Sequence, residues 1–384
     1  MRFVIAGGGT GGHLFPGIAM AEELVARNSE NQVLFVGTKR GIEAREVPKA
    51  GFRLELIDVT GLKGKGVGAR LAGMSKLPWA LLRSLRILRR FRPKVVLGVG
   101  GYASGPVLLA ARLLRIPTAI LEQNAAPGIT NRILGKVVRL VFTAFPEAGG
   151  FFPARKVRQL GNPIRRSLLD NFLKPHPRDE QDRFSLLVIG GSQGAHAINL
   201  ILPEAIECLP AALSARTRIL HQTGARDRAS VAQRYAELEH SRDAAPKVEV
   251  VDFISDMSAA YGWASLVVAR AGASTLAELT VCRRASILIP FAAATDDHQT
   301  KNAGALAQGG AAVVIREADM TADRLAQEIG TLAEAPERIA LMEQASARLG
   351  RPEAAREIGE VLSQLAVGAP NPGQRASPTR PVED

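Results

Sequence analysis

With 384 residues, 46% of them hydrophobic and 22% charged, the chain has a globular composition and room for two ordinary domains. No apolar run reaches the roughly 18 residues of a membrane span, and the start, Met1-Arg2-Phe3-Val4-Ile5-Ala6-Gly7, is too short and glycine-broken for a signal peptide. The net charge of +12 is local: Val59 to Leu121 holds twelve Lys and Arg and no acidic residue, which implies an extended anionic partner, either nucleic acid or an anionic membrane.

The first predicted strand, Phe3–Ala6, runs into Gly7-Gly8-Gly9-Thr10-Gly11-Gly12-His13, a turn of small residues opening a helix. Such a turn lets the backbone approach a phosphate and aims unpaired helix N–H groups at it. His13 opens the helix, where the dipole favours a neutral imidazole that can act as a base; capping or packing would also account for it. Strands follow at Gln32–Val36 and Arg53–Val59.

The segment Ser75–Phe91 reads as an amphipathic helix capped by Ser75. Leu77, Leu81, Leu85 and Leu88 share one face with Leu82 at its edge, while Lys76, Trp79, Arg83, Arg86 and Arg90 cluster on the other. A solvated basic face explains this pattern, and so does docking on a membrane surface, where a tryptophan among cations suits the headgroup zone.

Strand Lys94–Val99 leads to a third glycine turn, Gly100-Gly101-Tyr102-Ala103-Ser104-Gly105-Pro106, and strand Pro117–Leu121 leads to Glu122-Gln123-Asn124. Strands Val138–Thr143 and Val157–Leu160 complete the first half. The join falls near Gly161-Asn162-Pro163, before a polar stretch from Lys174 to Asp182.

In the second half, strand Phe184–Ile189 feeds Gly190-Gly191-Ser192-Gln193-Gly194-Ala195, a counterpart of the first turn. Strands follow at Arg216–His221, Lys247–Val251, Ser265–Ala269, Ala285–Ile289 and Ala312–Ile315. Thr275-Leu276-Ala277-Glu278 reads as a capping box. Beyond Ala366 the composition cannot bury a core and reads as disordered. Cys208 and Cys282 are far apart and read as small core residues, with no disulfide and no metal cluster in view.

Runs such as Val95-Val96-Leu97, apolar on both faces, and the alternating βαβα order predict an α/β chain with a doubly wound parallel sheet in each half. Two rival sites are weighed on the residues. Gly7 to Gly12 fits the dinucleotide fingerprint, but Val36-Gly37-Thr38-Lys39 offers no acid for a ribose. Gly190 to Gly194 fits the elbow of a serine hydrolase, yet the adjacent Asp296, Asp297 and His298 poorly supply both triad partners. Aromatics are few in the basic stretch and no nucleic-acid motif is visible, so no nucleic-acid partner is expected.

Six segments in order carry a resemblance: 8–13, 101–106, 122–124, Gly161-Asn162-Pro163-Ile164-Arg165, 190–195 and Asp297-His298-Gln299. Together they resemble the MurG family of N-acetylglucosaminyltransferases in peptidoglycan synthesis, over roughly residues 1–365. The resemblance implies a GT-B fold, two Rossmann-like domains facing across a cleft. Domains are expected at 1–162 for a membrane-facing acceptor domain and 163–350 for the donor domain. A helix over 351–366 is expected to return to the first domain, ahead of a tail at 367–384.

It further implies inverting transfer of N-acetylglucosamine from UDP-N-acetylglucosamine to the muramoyl 4-hydroxyl of lipid I, giving lipid II. The enzyme would act without a cofactor or metal, peripherally, on the cytoplasmic face of the bacterial inner membrane, where cell-wall synthesis proteins are candidate partners. The family's donor site falls on Ser192, Arg165, Ile254, Glu278 and Gln299, with Thr10, Gly11, Gly12 and Asn124 reaching across. Gly9, Tyr102 and Ser104 would meet the polyprenyl-diphosphate acceptor. His13 and Glu122 are alternatives for the base. The Arg270 to Glu278 segment departs from the family pattern at Ala271 and Ser274. A related GT-B enzyme with another lipid acceptor, or a non-catalytic module binding sugar nucleotide and membrane, would share these features.

Overall fold

The computed structural model describes residues 1–39, 41–59, 77–172, 183–191, 193–242, 244–294 and 297–368. Ser192, Lys76 and its neighbour Ser75, Asp296, the polar stretch Lys174–Asp182 and the tail from 369 lie outside the described residues. The chain forms two compact units. One comprises Met1–Glu122, Pro127–Leu160 and the residues from Glu353 onward; the other comprises Gln123–Ala126 and Gly161–Pro352.

The first unit is a parallel sheet of β1 (Arg2–Ala6), β2 (Gln32–Thr38), β3 (Arg53–Ile57), β4 (Val95–Gly98), β5 (Thr118–Glu122), β6 (Leu140–Thr143) and β7 (Val157–Gln159). Their order is β3-β2-β1-β4-β5-β6-β7, so the winding direction reverses between β1 and β4. Val4 lies between Leu34 and Val96 in register. The inner strands are buried on both faces, which is why β1, β2, β4 and β6 are nearly continuous apolar runs, while the edge strands β3 and β7 are only partly buried and carry Arg53, Glu55, Arg158 and Gln159. On one face Ile5, Leu97 and Leu121 pack with Leu14 and Leu24 of the helix Gly11–Arg27, and with Ile358 and Leu362 of the helix Ala354–Ala366. On the other, Val4, Val96 and Ile120 pack with helices Leu77–Phe91, Ser104–Leu113 and Ile129–Val137.

The second unit repeats the plan with β8 (Phe184–Ile189), β9 (Thr217–Gln222), β10 (Lys247–Val251), β11 (Leu266–Ala269), β12 (Ser286–Leu288) and β13 (Ala312–Val314). The order is β10-β9-β8-β11-β12-β13, all parallel, and the reversal falls between β8 and β11. One core joins Leu186, Val188 and Val268 to Leu202, Val231, Leu325 and Ile329 of the covering helices.

Three local expectations need correction. Cys208, expected in the core, is exposed, whereas Cys282 is buried. The helix Leu77–Phe91 buries Ala80, Ser84, Ile87 and Leu88, while Leu77, Trp79 and Leu82 are exposed. Leu81, Leu85 and Leu88 of the stripe do pack on the core, so the inner face is the leucine stripe shifted toward Ala80, Ser84 and Ile87, with Leu77 left out. Thr275 is not a cap: the helix is Ala273–Val281, its N-cap is Gly272, and no side chain caps it. Glu278 instead uses its carboxylate elsewhere.

Candidate functional site

In a doubly wound sheet, ligands bind beyond the carboxyl ends of the strands where the winding reverses. In the first unit that point is flanked by the turns after β1 and β4. Gly8 donates its N–H to Gly100 O at 3.3 Å, and Ser104 Oγ lies 2.8 Å from both Ala6 O and Gly100 O. Ser104 is therefore a brace between the two turns, fully buried, and its hydroxyl is not presented to a ligand. The partly exposed His13 ring lies over Gly100, where a Cβ would come within 2.6 Å of Nδ1, so only glycine lets the ring settle there. Thr10 is the N-cap residue in extended conformation and makes no side-chain cap, which leaves the first-turn N–H groups of Gly11 and Gly12 uncapped. Tyr102 is half exposed.

Glu43 was not singled out in the sequence, yet it is central to this turn. It is 1% exposed, and its Oε2 accepts the Gly9 N–H at 2.7 Å. Its Oε1 accepts the Thr38 N–H at 2.8 Å and the Thr38 hydroxyl at 2.9 Å. An acid thus stands near the end of β2 after all, but it is spent inside the protein and cannot hold a cofactor ribose. Gly9 itself is exposed with nothing within 4 Å of its Cβ position, so a ligand can approach its backbone closely although its N–H is committed. Glu122, the last residue of β5, is 1% exposed, and its Oε2 accepts from Asn131 Nδ2 at 2.8 Å.

In the second unit the turn after β8 opens the helix His196–Glu207. Gly190 donates its N–H to Gln222 Oε1 at 3.2 Å. A Cβ on Gly194, whose φ is +76°, would lie 1.8 Å from Thr223 O, so the two loops meet backbone to backbone. Behind them Asn199 Nδ2 donates to Thr223 O at 2.8 Å and to Asp227 Oδ2 at 2.9 Å, and His196 Nδ1 lies 2.9 Å from the same oxygen. Burial acts to raise the Asp227 carboxyl pKa, but donation from Asn199 and His196 outweighs it and holds the value low. Deeper still, His221 lies between Tyr235 and Asn199, and burial pushes its imidazole down to about 3, so it stays neutral.

Glu278, half-buried on the helix after β11, accepts from Tyr261 OH at 3.0 Å. Burial raises its carboxyl pKa, while the Tyr261 hydrogen bond and the positive charge of Arg165 pull it back. Gln299 Oε1 accepts the Phe291 N–H at 2.9 Å. Asn302, fully buried, takes the Ala125 N–H at 2.8 Å and donates to Asn124 Oδ1 and Ala271 O. Asn302 thereby secures Gln123–Ala126 to the second unit, so Asn124 joins Arg165, Ile254, Glu278 and Gln299 there. Ile254 borders an open hollow of about 570 Å³ with Phe253, Asp256 and Trp263. The described residues contain no group of His, Cys, Asp and Glu that could hold a metal.

Residues 3–143 match the N-terminal domain of glycosyltransferase family 28, and residues 185–358 match its C-terminal domain. A UDP-N-acetylglucosamine–N-acetylmuramyl-(pentapeptide) pyrophosphoryl-undecaprenol N-acetylglucosamine transferase of Anaeromyxobacter dehalogenans is 56% identical over 391 residues, covering 100% of this chain and 99% of that one. The protein of the same description from Myxococcus xanthus is 56% identical over 375 residues, 98% of this chain and 96% of its own. The crystal structure of Acinetobacter baumannii MurG is 31% identical, with a TM-score of 0.75 over 94% of this chain and 99% of that one. The chain belongs to the MurG glycosyltransferases of family 28. Membership fixes the GT-B class, two Rossmann-like parallel-sheet units, and the activity class of a hexosyltransferase. It also disposes of the dinucleotide and serine-hydrolase alternatives.

The residues expected from the resemblance fall into two sets. Gly9, Thr10, Gly11, Gly12, His13 and Tyr102 lie in the turns and helix start that follow β1 and β4; Glu278 and Gln299 lie on the helices that follow β11 and β12, with the charge of Arg165 acting on Glu278. Sequence reasoning missed Glu43, Asn199, Asp227, Tyr261 and Asn302. Asn199 and Tyr261 are single polar residues within apolar runs, which was the one available signal, whereas Glu43, Asp227 and Asn302 lie among other polar residues and carry none.

Proposed function

We propose that this enzyme transfers N-acetylglucosamine from UDP-N-acetylglucosamine to the muramoyl 4-hydroxyl of undecaprenyl-diphosphate-linked N-acetylmuramoyl-pentapeptide, giving lipid II. The carrying observation is that each sheet ends, at its switch point, in a braced glycine turn opening a helix, with the donor-type residues Asn124, Arg165, Ile254, Glu278 and Gln299 all in the second unit. The second turn, with Ser192, would hold the donor diphosphate and Glu278 the ribose, while Ile254 borders the uracil and Gln299 meets the sugar. One helix N-terminus supplies about 0.3–1 kcal/mol, so Arg165 and the turn's donors must act together on the leaving diphosphate.

In this reading the first unit holds the acceptor at Gly9 and Tyr102, with Thr10, Gly11 and Gly12 nearby. The acceptor hydroxyl oxygen bonds to the anomeric carbon, the bond to UDP breaks on the opposite face, and a base takes the hydroxyl proton. His13, partly exposed at the turn, is the base we assign; the burial of Glu122 against Asn131 favours a structural part for that carboxylate.

Transfer to a soluble lipid I analogue, followed by UDP release, tests this. His13→Ala should lower kcat by about 10²–10⁴-fold, and Ser192→Ala and Glu278→Ala should raise the donor KM. Wild-type protein that releases no UDP with this acceptor sinks the reading. A fully active His13→Ala removes the base assignment.

The enzyme would work at the cytoplasmic face of the plasma membrane, seated by its first unit. Trp79 is 71% exposed and Leu77 and Leu82 lie beside it; Leu109 and Leu113 of the neighbouring helix, and Ile129 and Ile133 of the next, are also exposed. Exposed Arg83, Arg86 and Arg112 accompany them. Arg83 and Arg90 also pair with Glu55 of β3, which offsets part of the basic face.

A further inference from the structure

Glu278 is the carboxylate assigned above to the donor ribose, and its surroundings determine what it can recognise. Tyr261 is fully buried on the helix Met257–Trp263, and its hydroxyl donates to Glu278 Oε2 at 3.0 Å. An ionised carboxylate offers about four acceptor positions. Tyr261 takes one of them, on Oε2, and restrains the half-buried side chain, leaving further acceptor positions for a ligand. Two acceptor positions in one plane match a vicinal pair of hydroxyls. From these contacts we propose that Tyr261 is a positioning residue that presents Glu278 to the 2′- and 3′-hydroxyls of the donor, making the enzyme read a ribonucleotide over a 2′-deoxyribonucleotide. The inference rests on Glu278 as the ribose ligand.

The groups acting on Glu278 come from three elements. Tyr261 donates from its helix, Arg165 supplies positive charge from the segment before the helix Arg166–Phe172, and Cys282 lies one turn further along the helix of Glu278. Burial raises the Cys282 thiol, with Glu278 adding to the rise, so it stays a neutral neighbour. Burial, and then Glu278, likewise raise the Tyr261 phenol, which therefore remains a donor across the working pH range. Burial favours the protonated form of Glu278, and Tyr261 and Arg165 oppose that. Once protonated, Glu278 offers fewer acceptor positions, so the donor KM rises as pH falls through its pKa. Removing the phenol moves that rise to higher pH.

The test measures donor KM against pH for UDP-N-acetylglucosamine and its 2′-deoxyribose analogue, with soluble acceptor saturating. In Tyr261→Phe the acid limb of KM should move up by about one pH unit, equivalent to about tenfold in KM on the limb. Preference for the ribose donor should fall by a similar factor, because the wild-type site penalises the deoxy analogue through a carboxylate left unpaired. Incorporation of 3-fluorotyrosine at position 261, a stronger donor of unchanged shape, should move the limb the other way. Should Tyr261→Phe fail to fold, this second variant decides alone. A KM change equal at every pH, or a limb and preference unmoved in both variants, overturns the inference. Glu278→Gln separates the two levels: if it leaves donor KM and ribose preference untouched, the ribose assignment itself is wrong.

Discussion

Glu43 and Gln222 each take an N–H of their unit's glycine turn, Glu43 from the start of the helix Glu43–Lys49 after β2 and Gln222 from the last residue of β9. In the first unit that brace is a carboxylate, and in the second a neutral amide. The difference bears on which turn welcomes a dianionic diphosphate: the first has already committed Gly9 N–H to a negative group, and its remaining cradle is the uncapped helix start at Gly11 and Gly12. Glu43 accepts from three donors in a slot lined by glycines, where a Cβ on Gly41 would lie 2.0 Å from its Oε2. Glu43→Gln places an NH₂ group against those donors and strands at least one of them. A loss of about 1–3 kcal/mol in stability is expected, readable as a lower urea midpoint, together with a larger fall in kcat/KM for the acceptor than for the donor. An unchanged midpoint with unchanged acceptor kinetics would show that the brace does nothing. None of this could be read from the sequence, because Glu43 lies beyond the strand end where an acid was sought, and only folding brings it back under the turn.

At the scale of elements, strands and turns were legible because their physics is local. Parallel strands buried on both faces must be apolar runs, and all thirteen strands of the described residues have both ends within two residues of the runs that announced them. The helix Leu77–Phe91 was harder at its edges, since Leu81, Leu85 and Leu88 of the leucine stripe pack on the core as the wheel indicates, but Leu77 does not, and Ala80, Ser84 and Ile87 are buried beside them. The small, buried Ala80 and Ser84 lie on a helix that packs against Ser104–Leu113, and which flank of the stripe is covered belongs to that partner rather than to the helix. The result leaves Leu77, Trp79 and Leu82 in solvent next to arginines. Removing about 150–250 Å² of tryptophan surface from water at about 25 cal/mol per Å² is worth several kcal/mol, and each arginine adds about 1 kcal/mol near an anionic leaflet. Trp79→Glu with Leu82→Glu should therefore weaken sedimentation with phosphatidylglycerol vesicles by at least tenfold, leaving turnover on a soluble acceptor in place. Equal binding of wild type and variant to such vesicles would remove this helix from the membrane contact.

For the whole molecule, the instructive segment is the helix Ala354–Ala366, which comes last in the chain and completes the first core. Ile358, Leu362 and Leu365 pack beside Leu14, Leu24 and Val95, and Arg27 Nη2 donates to Arg356 O at 2.7 Å. Each buried aliphatic side chain contributes about 1.5–3 kcal/mol, so the three together supply about 5–9 kcal/mol, comparable to the whole stability of a domain at about 5–15 kcal/mol. The second unit, by contrast, closes its core without this helix. A chain ended after Pro352 should accordingly lose the first unit's cooperative melting while UDP-N-acetylglucosamine still shifts the melting of the second. Leu362→Ala is the graded version, with about 2–5 kcal/mol expected from the cavity and a first transition lowered before the second. If the shortened chain melts as the full one does, the last helix is an ornament rather than a part of the first core, and the two units do not differ in what they need from the end of the chain.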